Sequence, residues 1–359
     1  MFDQRRPIIV PVGGFLGAGK TRLILCATQM LANNGIRAGI VTNDQGEEFV
    51  DTEWARGLGL VAAEVGGGCF CCNFSKLIVA VEGLLGIEPA VIFVEPVGSC
   101  TDISATVLQP LKALYAKRFQ LAPFTVLVDP ARARELSGIR ADEQMKYLFT
   151  QQLLEADLIC STKADLGRTA PAFKGYRNLR SLSAKTKEGV GAWLSEVVGG
   201  SIEAGSRLLE DVDYALYAAA EAELGWLNWR IVVRLDEALS PTALAGPLFD
   251  GIRGALAKPR IAILHLKMTD RCESGFLEAG LCRSSDEPEV SGDMTASPAR
   301  EHEITVNLRA KADPQQLTMA VAEACEWLPG KVRFIRQDCF QPGAPKPEHR
   351  YRHVVAPRN

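Results

Sequence analysis

A glycine-rich loop near the N-terminus restricts the fold of this 359-residue chain more than any other segment. The loop reads Gly14-Phe-Leu-Gly17-Ala18-Gly19-Lys20-Thr21 and follows the apolar run Ile8–Val12. A strand, a glycine loop, a Lys-Thr pair and a helix in that order form the Walker A pattern, whereas a chance glycine turn would lack this context. The pattern predicts that the loop backbone binds phosphates, that Lys20 reaches the β- and γ-phosphates, and that Thr21 ligates Mg²⁺.

Apolar runs alternate with helical periodicity through residues 1–207, which is typical of a parallel sheet with crossover helices. The sequence therefore predicts an α/β fold, a P-loop NTPase domain with a mostly parallel sheet. The expected strands are Pro7–Val12, Ala38–Thr42, Ala90–Val94, Thr125–Val128, Leu158–Cys160 and Asn178–Leu182. The expected helices include Lys20–Asn33, Ser75–Leu85 and Ala192–Val198.

The second half of the chain predicts a smaller α+β domain over residues 228–338, joined through a linker helix over residues 208–227. Two βαβ units are expected, because Ser240-Pro241 and Asp313-Pro314 are strong helix-start signals between apolar strands. This repeat favours a ferredoxin-like arrangement. The polar stretch Ser284–Arg300 is expected to be a loop, and residues 339–359 an extended tail.

Bulk properties restrict the possible partners. The length predicts two domains, and a net charge of −3 gives no electrostatic basis for binding nucleic acid. We expect neither a signal peptide nor a membrane span, because no apolar run reaches about 18 residues. The expected location is the cytoplasm, where clustered cysteines indicate metal or redox chemistry before structural disulfides.

Two later segments indicate the base of the nucleotide. Cys160-Ser-Thr162-Lys163-Ala-Asp165 resembles the Asn-Lys-x-Asp guanine motif, with Thr162 in place of Asn. The Asp165 carboxylate can accept from the N1–H and N2–H₂ donors of guanine, which adenine lacks. Ser183-Ala184-Lys185 resembles the second guanine loop. The alternative is a surface turn, and the Thr162 replacement leaves the strictness of GTP over ATP open.

Acidic residues are expected beside the phosphates. Glu95 ends the apolar run Val91–Val94 and precedes Gly98, a Walker B-like arrangement. Glu95 is predicted to bind the Mg²⁺ shell or orient the attacking water, and Gly98 to donate its N–H to the γ-phosphate. Asp44 is a second Mg²⁺ candidate or an ordinary strand-end turn residue. Lys20, Glu95 and Asp44 are thus the predicted catalytic residues, and slow intrinsic hydrolysis is expected.

Three cysteines on a glycine turn form the other candidate site, Gly66-Gly-Gly68-Cys69-Phe-Cys71-Cys72. Three thiolates can converge on one soft ion such as Zn²⁺, Co²⁺, Ni²⁺ or Cu⁺ and leave a position open. The first 258 residues contain no histidine, so a fourth ligand there would be Glu47, Glu48, Glu64 or water. The alternatives are a redox-active thiol pair or small buried residues.

Together these motifs resemble the CobW-like GTPases, relatives of the nickel-insertion GTPases HypB and UreG, over residues 7–200 or so. The matching segments are Gly14–Thr21, Asn43–Gly46, Gly68–Cys72, Glu95–Gly98 and Thr162–Asp165. The resemblance implies a metallochaperone or insertase that uses GTP and Mg²⁺ to deliver Zn²⁺, Co²⁺ or Ni²⁺. It further implies a client metalloenzyme or corrinoid system, and relatives often form homodimers.

Other hypotheses remain open from the sequence. One is a P-loop small-molecule kinase, and another is a non-catalytic regulator that senses metal or redox state through the three cysteines. In the coupled GTPase hypothesis, segments Asn43–Asp51 and Gly66–Asn73 respond to the γ-phosphate. Cys339 and His349 are possible further ligands, but an extended tail docked by Phe340 and prolines is the favoured interpretation.

Overall fold

The computed structural model describes residues 6–46, 50–139, 141–168 and 179–356, which divide into two compact units. Of these residues, the first unit contains those within Met1–Gln45, Leu58–Ala220 and Ala344–Asn359. The second unit contains those within Gly46–Gly57 and Glu221–Gly343. Residues 46 and 50–57, and residues 344–356, therefore lie in different units from those that sequence order predicts.

Strands and helices largely alternate through the first part of the chain, and strands predominate from residue 225 onward. In chain order they are β1 (Ile8–Gly14), α1 (Lys20–Asn33), β2 (Ala38–Asn43), α2 (Val50–Gly57), β3 (Val61–Val65), α3 (Phe74–Gly83), β4 (Val91–Glu95), α4 (Gln109–Tyr115), β5 (Gln120–Leu121), β6 (Thr125–Val128), α5 (Pro130–Leu136), α6 (Glu143–Leu154), β7 (Leu158–Ser161), β8 (Leu179–Ser181), α7 (Val190–Val198), α8 (Tyr214–Ala222), β9 (Gly225–Leu239), α9 (Pro241–Ala257), β10 (Ile263–Cys272), β11 (Gly275–Leu281), β12 (Glu289–Gly292), β13 (Ala299–Ala310), α10 (Pro314–Glu326) and β14 (Lys331–Phe340).

The sheet of the first unit has the strand order β3-β2-β4-β1-β6-β7-β8, with β5 also beside β1. All its described pairings are parallel, and β1 and β4 are buried throughout, as strands covered on both faces should be. The predicted P-loop NTPase architecture is confirmed. Because β1 is central, the loop after it begins at the middle of the carboxyl edge of the sheet, where α/β proteins bind ligands.

The structure differs from the sequence prediction at one edge strand and at the linker helix. β3 is not among the expected strands; it is an edge strand whose side chains are mostly accessible. The expected linker helix over 208–227 is wrong, since α8 covers only Tyr214–Ala222 and β9 begins at Gly225. Asn178, the predicted start of the last strand, lies outside the described residues.

The second unit carries a six-stranded sheet in the order β12-β11-β10-β13-β9-β14, and each described pairing is antiparallel. The order β14-β9-β13-β10, with α9 and α10 as the two crossover helices, is the predicted ferredoxin-like βαββαβ topology. The hairpin β11–β12 extends this sheet. Part of the expected loop Ser284–Arg300 therefore forms strand β12, which pairs its backbone with β11 although its side chains are largely polar.

Local capping explains why α9 and α10 begin where the sequence predicts. The Ser240 hydroxyl accepts from the Ala243 N–H, and Asp313 forms a reciprocal capping box with Gln316. Proline occupies the first helical position of both, where its missing N–H removes no helical bond. The apolar faces of the two helices pack on the alternating inward residues of β9 in one core.

Helix α2 belongs to the second unit through its side-chain contacts. Asp51 forms an ion pair with Lys267, and the Glu53 carboxylate accepts from the Thr269 hydroxyl at 3.0 Å. The Val50 N–H donates to the Asn307 side chain at 3.3 Å. The chain therefore leaves the first unit after Gln45, directly behind the predicted switch residues Asn43 and Asp44.

Helix length bears on membrane insertion. The longest helix in the described ranges is α9, with 17 residues. Nowhere in those ranges is a helix both long and apolar enough to cross a bilayer.

Candidate nucleotide and metal site

The glycine loop forms the turn that the Walker A pattern requires. Gly14 has φ +134°, and a Cβ there would lie 2.4 Å from the Leu127 carbonyl oxygen, so only glycine fits. Lys20 begins α1, and its ammonium donates to the Gly14 carbonyl at 3.0 Å. The loop therefore places one buried cation and the N-terminus of a 14-residue helix at the same point, which suits an anionic phosphate group.

Thr21 and Glu95 form a pair of oxygen donors at the base of this loop. The Thr21 hydroxyl donates to Glu95 Oε1 at 3.0 Å, and both residues are buried. β4 runs beside β1, so Glu95 at the end of β4 lies next to Thr21 in the first turn of α1, although the two residues are far apart in the sequence. A hydroxyl and a carboxylate are ligands that Mg²⁺ accepts together with phosphate oxygens, so the donor set fits that ion.

The loop after Glu95 lies directly against the phosphate loop. A Cβ at Gly98 would lie 2.9 Å from Leu16 Cδ2 and 3.1 Å from Lys20 Nζ. The Gln152 amide donates to the carbonyls of Gly98 at 3.0 Å and Cys100 at 2.8 Å. This arrangement leaves the Gly98 backbone close to the cation that is predicted to contact the γ-phosphate.

The two predicted base-recognition loops meet at the ends of β7 and β8. Ser183 Oγ donates to Asp165 Oδ1 at 2.6 Å, and the Asp165 side chain is solvent-accessible. The Thr162 hydroxyl donates to the Ala18 carbonyl at 2.9 Å. Thr162, in the position of the expected Asn, thus connects this loop to the phosphate loop. Ala184 is half-buried and Lys185 is exposed in the turn that follows Ser183.

Lys163 sits in the left-handed region at φ 57° and forms an ion pair with Asp129 at 2.9 Å. Asp129 is buried and also caps α5 by accepting from the Ala131 N–H. The Lys163 side chain is therefore fixed at its ammonium end by a buried carboxylate.

The sulfur atoms of Cys69, Cys71 and Cys72 lie within 4.8 Å of one another. Cys72 Sγ is 3.4 Å from Cys69 Sγ and 3.7 Å from Cys71 Sγ, while Cys69 and Cys71 are joined as a disulfide. Sulfur ligands about 2.3 Å from a tetrahedral zinc ion lie about 3.8 Å apart. Once the disulfide is reduced, the three thiols therefore fit one soft metal ion.

Asn43 holds the cysteine loop, a role that the sequence did not reveal. Its side-chain amide donates to the carbonyls of Val65 and Gly68, both at 2.8 Å, and accepts from the Phe70 N–H at 2.8 Å. Asn43 ends β2, and the pairing of β2 with β3 brings Val65 beside it. The only sequence signal is a polar residue at the end of a buried strand, and its partners follow from that strand pairing.

We expect the substitution Asn43→Ala to loosen the cysteine loop. It removes three hydrogen bonds and takes away the acceptor of the buried Phe70 N–H, at a cost of about 1–3 kcal/mol for that group. Since outer-shell partners typically contribute 10–100-fold to metal affinity, Co²⁺ affinity of the reduced protein should fall by about that factor. Optical Co²⁺ titration measures it, with Asn34→Ala on the surface of the same unit as the control. Unchanged Co²⁺ affinity in a folded Asn43→Ala protein would contradict this role.

Comparison with known protein families identifies this combination of sites. The family model described as the CobW/HypB/UreG nucleotide-binding domain matches residues 8–187, half of the chain. The chain belongs to the CobW/HypB/UreG family. Residues 8–187 of this CobW/HypB/UreG protein contain the phosphate loop, Glu95, the cysteine cluster and both base loops. A P-loop nucleotide-binding fold is thus a property of this chain, and its Cys69, Cys71 and Cys72 are placed so that they could bind a metal ion.

Two solved structures align with this family member at low sequence identity. The Zn(II)-bound YjiA GTPase from E. coli is 14% identical, covers 88% of this chain and 98% of its own, and gives a TM-score of 0.32. HypB from Helicobacter pylori in complex with nickel is 15% identical, covers 55% of this chain and 87% of its own, and gives 0.40. Among curated proteins, none matches the sequence significantly.

The C-terminal tail of this CobW/HypB/UreG protein crosses the cysteine cluster. The Lys346 N–H donates to Cys72 Sγ at 3.1 Å, and the Glu348 N–H donates to the Cys71 carbonyl at 2.9 Å. The His349 ring packs edge-on against Phe74, with centroids 5.1 Å apart. Residues 341–356 carry no helix or strand, and Phe340, which was predicted to dock the tail, is the last residue of β14.

The remaining predicted ligands lie elsewhere or outside the described residues. The Cys339 thiol donates to the Pro314 carbonyl at 3.2 Å inside the second unit, where it has a structural partner. The Asp44 N–H donates to the Val65 carbonyl at 3.3 Å, so Asp44 follows β2 beside the cysteine loop. Its role as a Mg²⁺ ligand stays a prediction. Glu47 and Glu48 lie outside the described residues.

The scattered cysteines differ from the cluster in their surroundings. Cys100, Cys160 and Cys325 are buried, and Cys26, Cys272, Cys282 and Cys339 are half-buried. Burial raises the pKa of Cys160, and it raises the pKa of Cys325 to about 11. These two thiols stay protonated at neutral pH and are poor candidates for metal binding.

Proposed function

We propose that this protein is a GTP-hydrolysing metallochaperone or metal insertase. In this proposal it binds a transition metal at Cys69, Cys71 and Cys72 and delivers it to a client metalloenzyme or corrinoid system. The client is a second, cytoplasmic protein. The donor set, three sulfurs with a position left for a further ligand, suits Zn²⁺, Co²⁺ or Ni²⁺ and suits transfer better than permanent storage.

One observation carries the proposal: neighbouring strands of one sheet bear the two sites. Thr42 of β2 is in register with Glu95 of β4, and the next residue, Asn43, holds the cysteine loop. Glu95 in turn accepts from Thr21 at the phosphate loop. A short chain of buried contacts therefore connects the candidate Mg²⁺ ligands Thr21 and Glu95 to the cysteine cluster. This supports a coupling in which bound nucleotide changes the affinity for the transition metal and bound metal changes the affinity for nucleotide.

The chain's own residues have distinct parts in this proposed cycle. Lys20 and the loop backbone hold the phosphates, Thr21 and Glu95 hold Mg²⁺, and Asp165 selects guanine. Mg²⁺, when bound, would neutralise charge that develops on the phosphate oxygens. Metal loading requires the reduced cluster, because a disulfide-bonded pair offers no thiolate.

Equilibrium titration of the reduced protein with Co²⁺ tests the proposal, once with a non-hydrolysable GTP analogue and once with GDP. We expect the two Co²⁺ affinities to differ by about 5- to 150-fold, the usual range of coupling between sites. Adenine nucleotides at the same concentrations serve as the control and should leave the Co²⁺ affinity unchanged. Equal Co²⁺ affinities with the GTP analogue and GDP would remove the coupled mechanism.

A thiol-redox regulator is the second candidate, and the Cys69–Cys71 disulfide favours it. In that case oxidation of the pair, and not metal loading, would change nucleotide turnover. GTP hydrolysis by oxidised, reduced metal-free and reduced Co²⁺-loaded protein separates the two. Turnover that follows the oxidation state and ignores Co²⁺ would favour the regulator.

A further inference from the structure

The C-terminal tail connects the cysteine cluster to the loop that follows Glu95, and all of these contacts lie within the first unit. At one end, Lys346 and Glu348 donate backbone N–H groups to Cys72 and Cys71. At the other end, the Tyr351 N–H donates to the Ala105 carbonyl at 3.0 Å, and Arg350 reaches Asp102. We call residues 346–351 the strap.

A carboxylate fixes the strap at the cluster end. Glu348 Oε2 accepts from the Ser75 N–H at 3.0 Å and from the Ser75 hydroxyl at 2.6 Å. Ser75 lies in the first turn of α3, the helix that begins directly after the cysteine motif. A negative charge is favourable at that position, because helical N–H groups there lack intrahelical partners. The strap is therefore bound on both sides of the Cys71–Cys72 segment.

A buried ion pair fixes the other end. Arg350 Nε donates to Asp102 Oδ2 at 2.8 Å, and Tyr214 donates to the same oxygen at 2.7 Å. Asp102 is fully buried, and its Oδ1 has no hydrogen-bond partner among the described residues. Burial raises the pKa of Asp102, while the bonds from Tyr214 and Arg350 lower it. A buried carboxylate that loses its cation is strongly disfavoured, so Asp102 and Arg350 must move together.

Asp102 belongs to the loop that lies against Lys20. Gly98, four residues earlier, lies so close to Lys20 that a Cβ added there would be 3.1 Å from the ammonium nitrogen. The loop is also tied to α6 and the residue that follows it: Gln152 donates to the Gly98 and Cys100 carbonyls, and Glu155 accepts from the Ser104 N–H at 2.8 Å. A change at Gly98 would therefore reach Asp102 through a short, packed segment, and the strap through Arg350.

We propose that the strap couples the two sites: nucleotide-dependent movement of residues 98–102 is transmitted through Arg350 to the backbone over Cys71 and Cys72, and this changes metal affinity. The inference rests on the proposed GTP-dependent metal binding and names the element that carries it. Arg350 acts as a positioning residue, since it touches neither predicted ligand. The strap would restrain the Cys72 sulfur through the Lys346 N–H and release it when Asp102 moves.

The test compares the ratio of Co²⁺ affinities in GTP analogue and in GDP for four reduced full-length proteins: wild type, Arg350→Met, Glu348→Gln and Arg352→Met. Arg352 lies two residues further along the tail and is exposed, so Arg352→Met is the matched control. The wild-type ratio is expected to differ from one by about 5- to 150-fold. In Arg350→Met the ratio should differ from one by no more than about 2-fold. Glu348→Gln should reduce the ratio in the same direction, and Arg352→Met should keep the wild-type ratio.

Further readouts separate coupling from misfolding. Guanine-nucleotide affinity without metal and the circular dichroism spectrum should match wild type in each variant. If Arg350→Met does not fold, Glu348→Gln decides, because it removes a charge at the accessible end of the strap. A wild-type ratio of one would overturn the proposed function and the strap with it. A coupled wild type whose ratio survives in the folded strap variants would overturn the strap alone.

Discussion

Replacing Cys71 with serine is expected to lower the Co²⁺ or Zn²⁺ affinity of the reduced protein by more than about 100-fold. Loss of a residue that only supports a metal ligand lowers affinity by up to about 100-fold, and loss of a ligand itself should cost more. The reason is that a hydroxyl does not replace a thiolate for a soft ion, and only two sulfurs would remain. Among the residues that the structure describes, this cluster is the only group of three or more cysteine, histidine or acidic side chains close enough together to share an ion. Competition with a chelator of known affinity measures the loss.

Cys26→Ser is the control for the cysteine substitution. Cys26 is a half-buried thiol on α1 of the same unit, away from the cluster in sequence, and its substitution should leave Co²⁺ affinity unchanged. Guanine-nucleotide affinity should be preserved in both variants, which shows that the P-loop domain is folded. A Cys71→Ser protein that binds one equivalent of Co²⁺ as tightly as wild type would rule out the cluster as the metal site.

Replacing Lys20 with alanine is expected to reduce GTP hydrolysis by about 100-fold or more, the scale on which loss of one preorganised transition-state donor acts. The Lys20 ammonium is buried between the Gly14 carbonyl and the Gly98 backbone, where charge on the transferring phosphoryl group would be stabilised. Single-turnover hydrolysis with saturating GTP and Mg²⁺ separates this effect from weaker binding.

Lys117→Ala is the control for the lysine substitution, because Lys117 is an exposed cation in the same unit. It should retain wild-type turnover. Co²⁺ affinity without nucleotide should be unchanged in Lys20→Ala, since the cysteine loop is held by Asn43. Wild-type turnover in a folded Lys20→Ala protein would contradict the assignment of the phosphate site.

Sequence reasoning succeeded where the determining contacts are local. The phosphate loop could be predicted because the glycine turn and the start of α1 are formed by adjacent residues. The starts of α9 and α10 were predictable for the same reason, since their caps lie within three residues of the first helical position. Buried strands such as β1 and β4 were visible as apolar runs, whereas the accessible edge strand β3 was not.

The candidate site was predictable as a set of motifs but not as an arrangement. No local rule connects Asn43 with the carbonyl of Gly68, because the contact depends on β2 pairing with β3. The contacts of Glu348 with Ser75 and of Arg350 with Asp102 cross more than 240 residues of sequence. From its composition, the tail could be predicted only as an extended, proline-rich segment, and its contacts with the cysteine cluster could not be predicted.

The sequence by itself determined which functional groups are present within residues 8–187: a glycine loop with Lys20 and Thr21, the acid Glu95, the two predicted base loops and three thiols. Only the tertiary structure decided which strands are neighbours, that α2 belongs to the second unit, and that the strap covers the cysteine cluster. The physical reason is that turns and caps are satisfied by nearby backbone groups. Strand order and tail docking are instead selected by burial and pairing between residues that are distant in the chain.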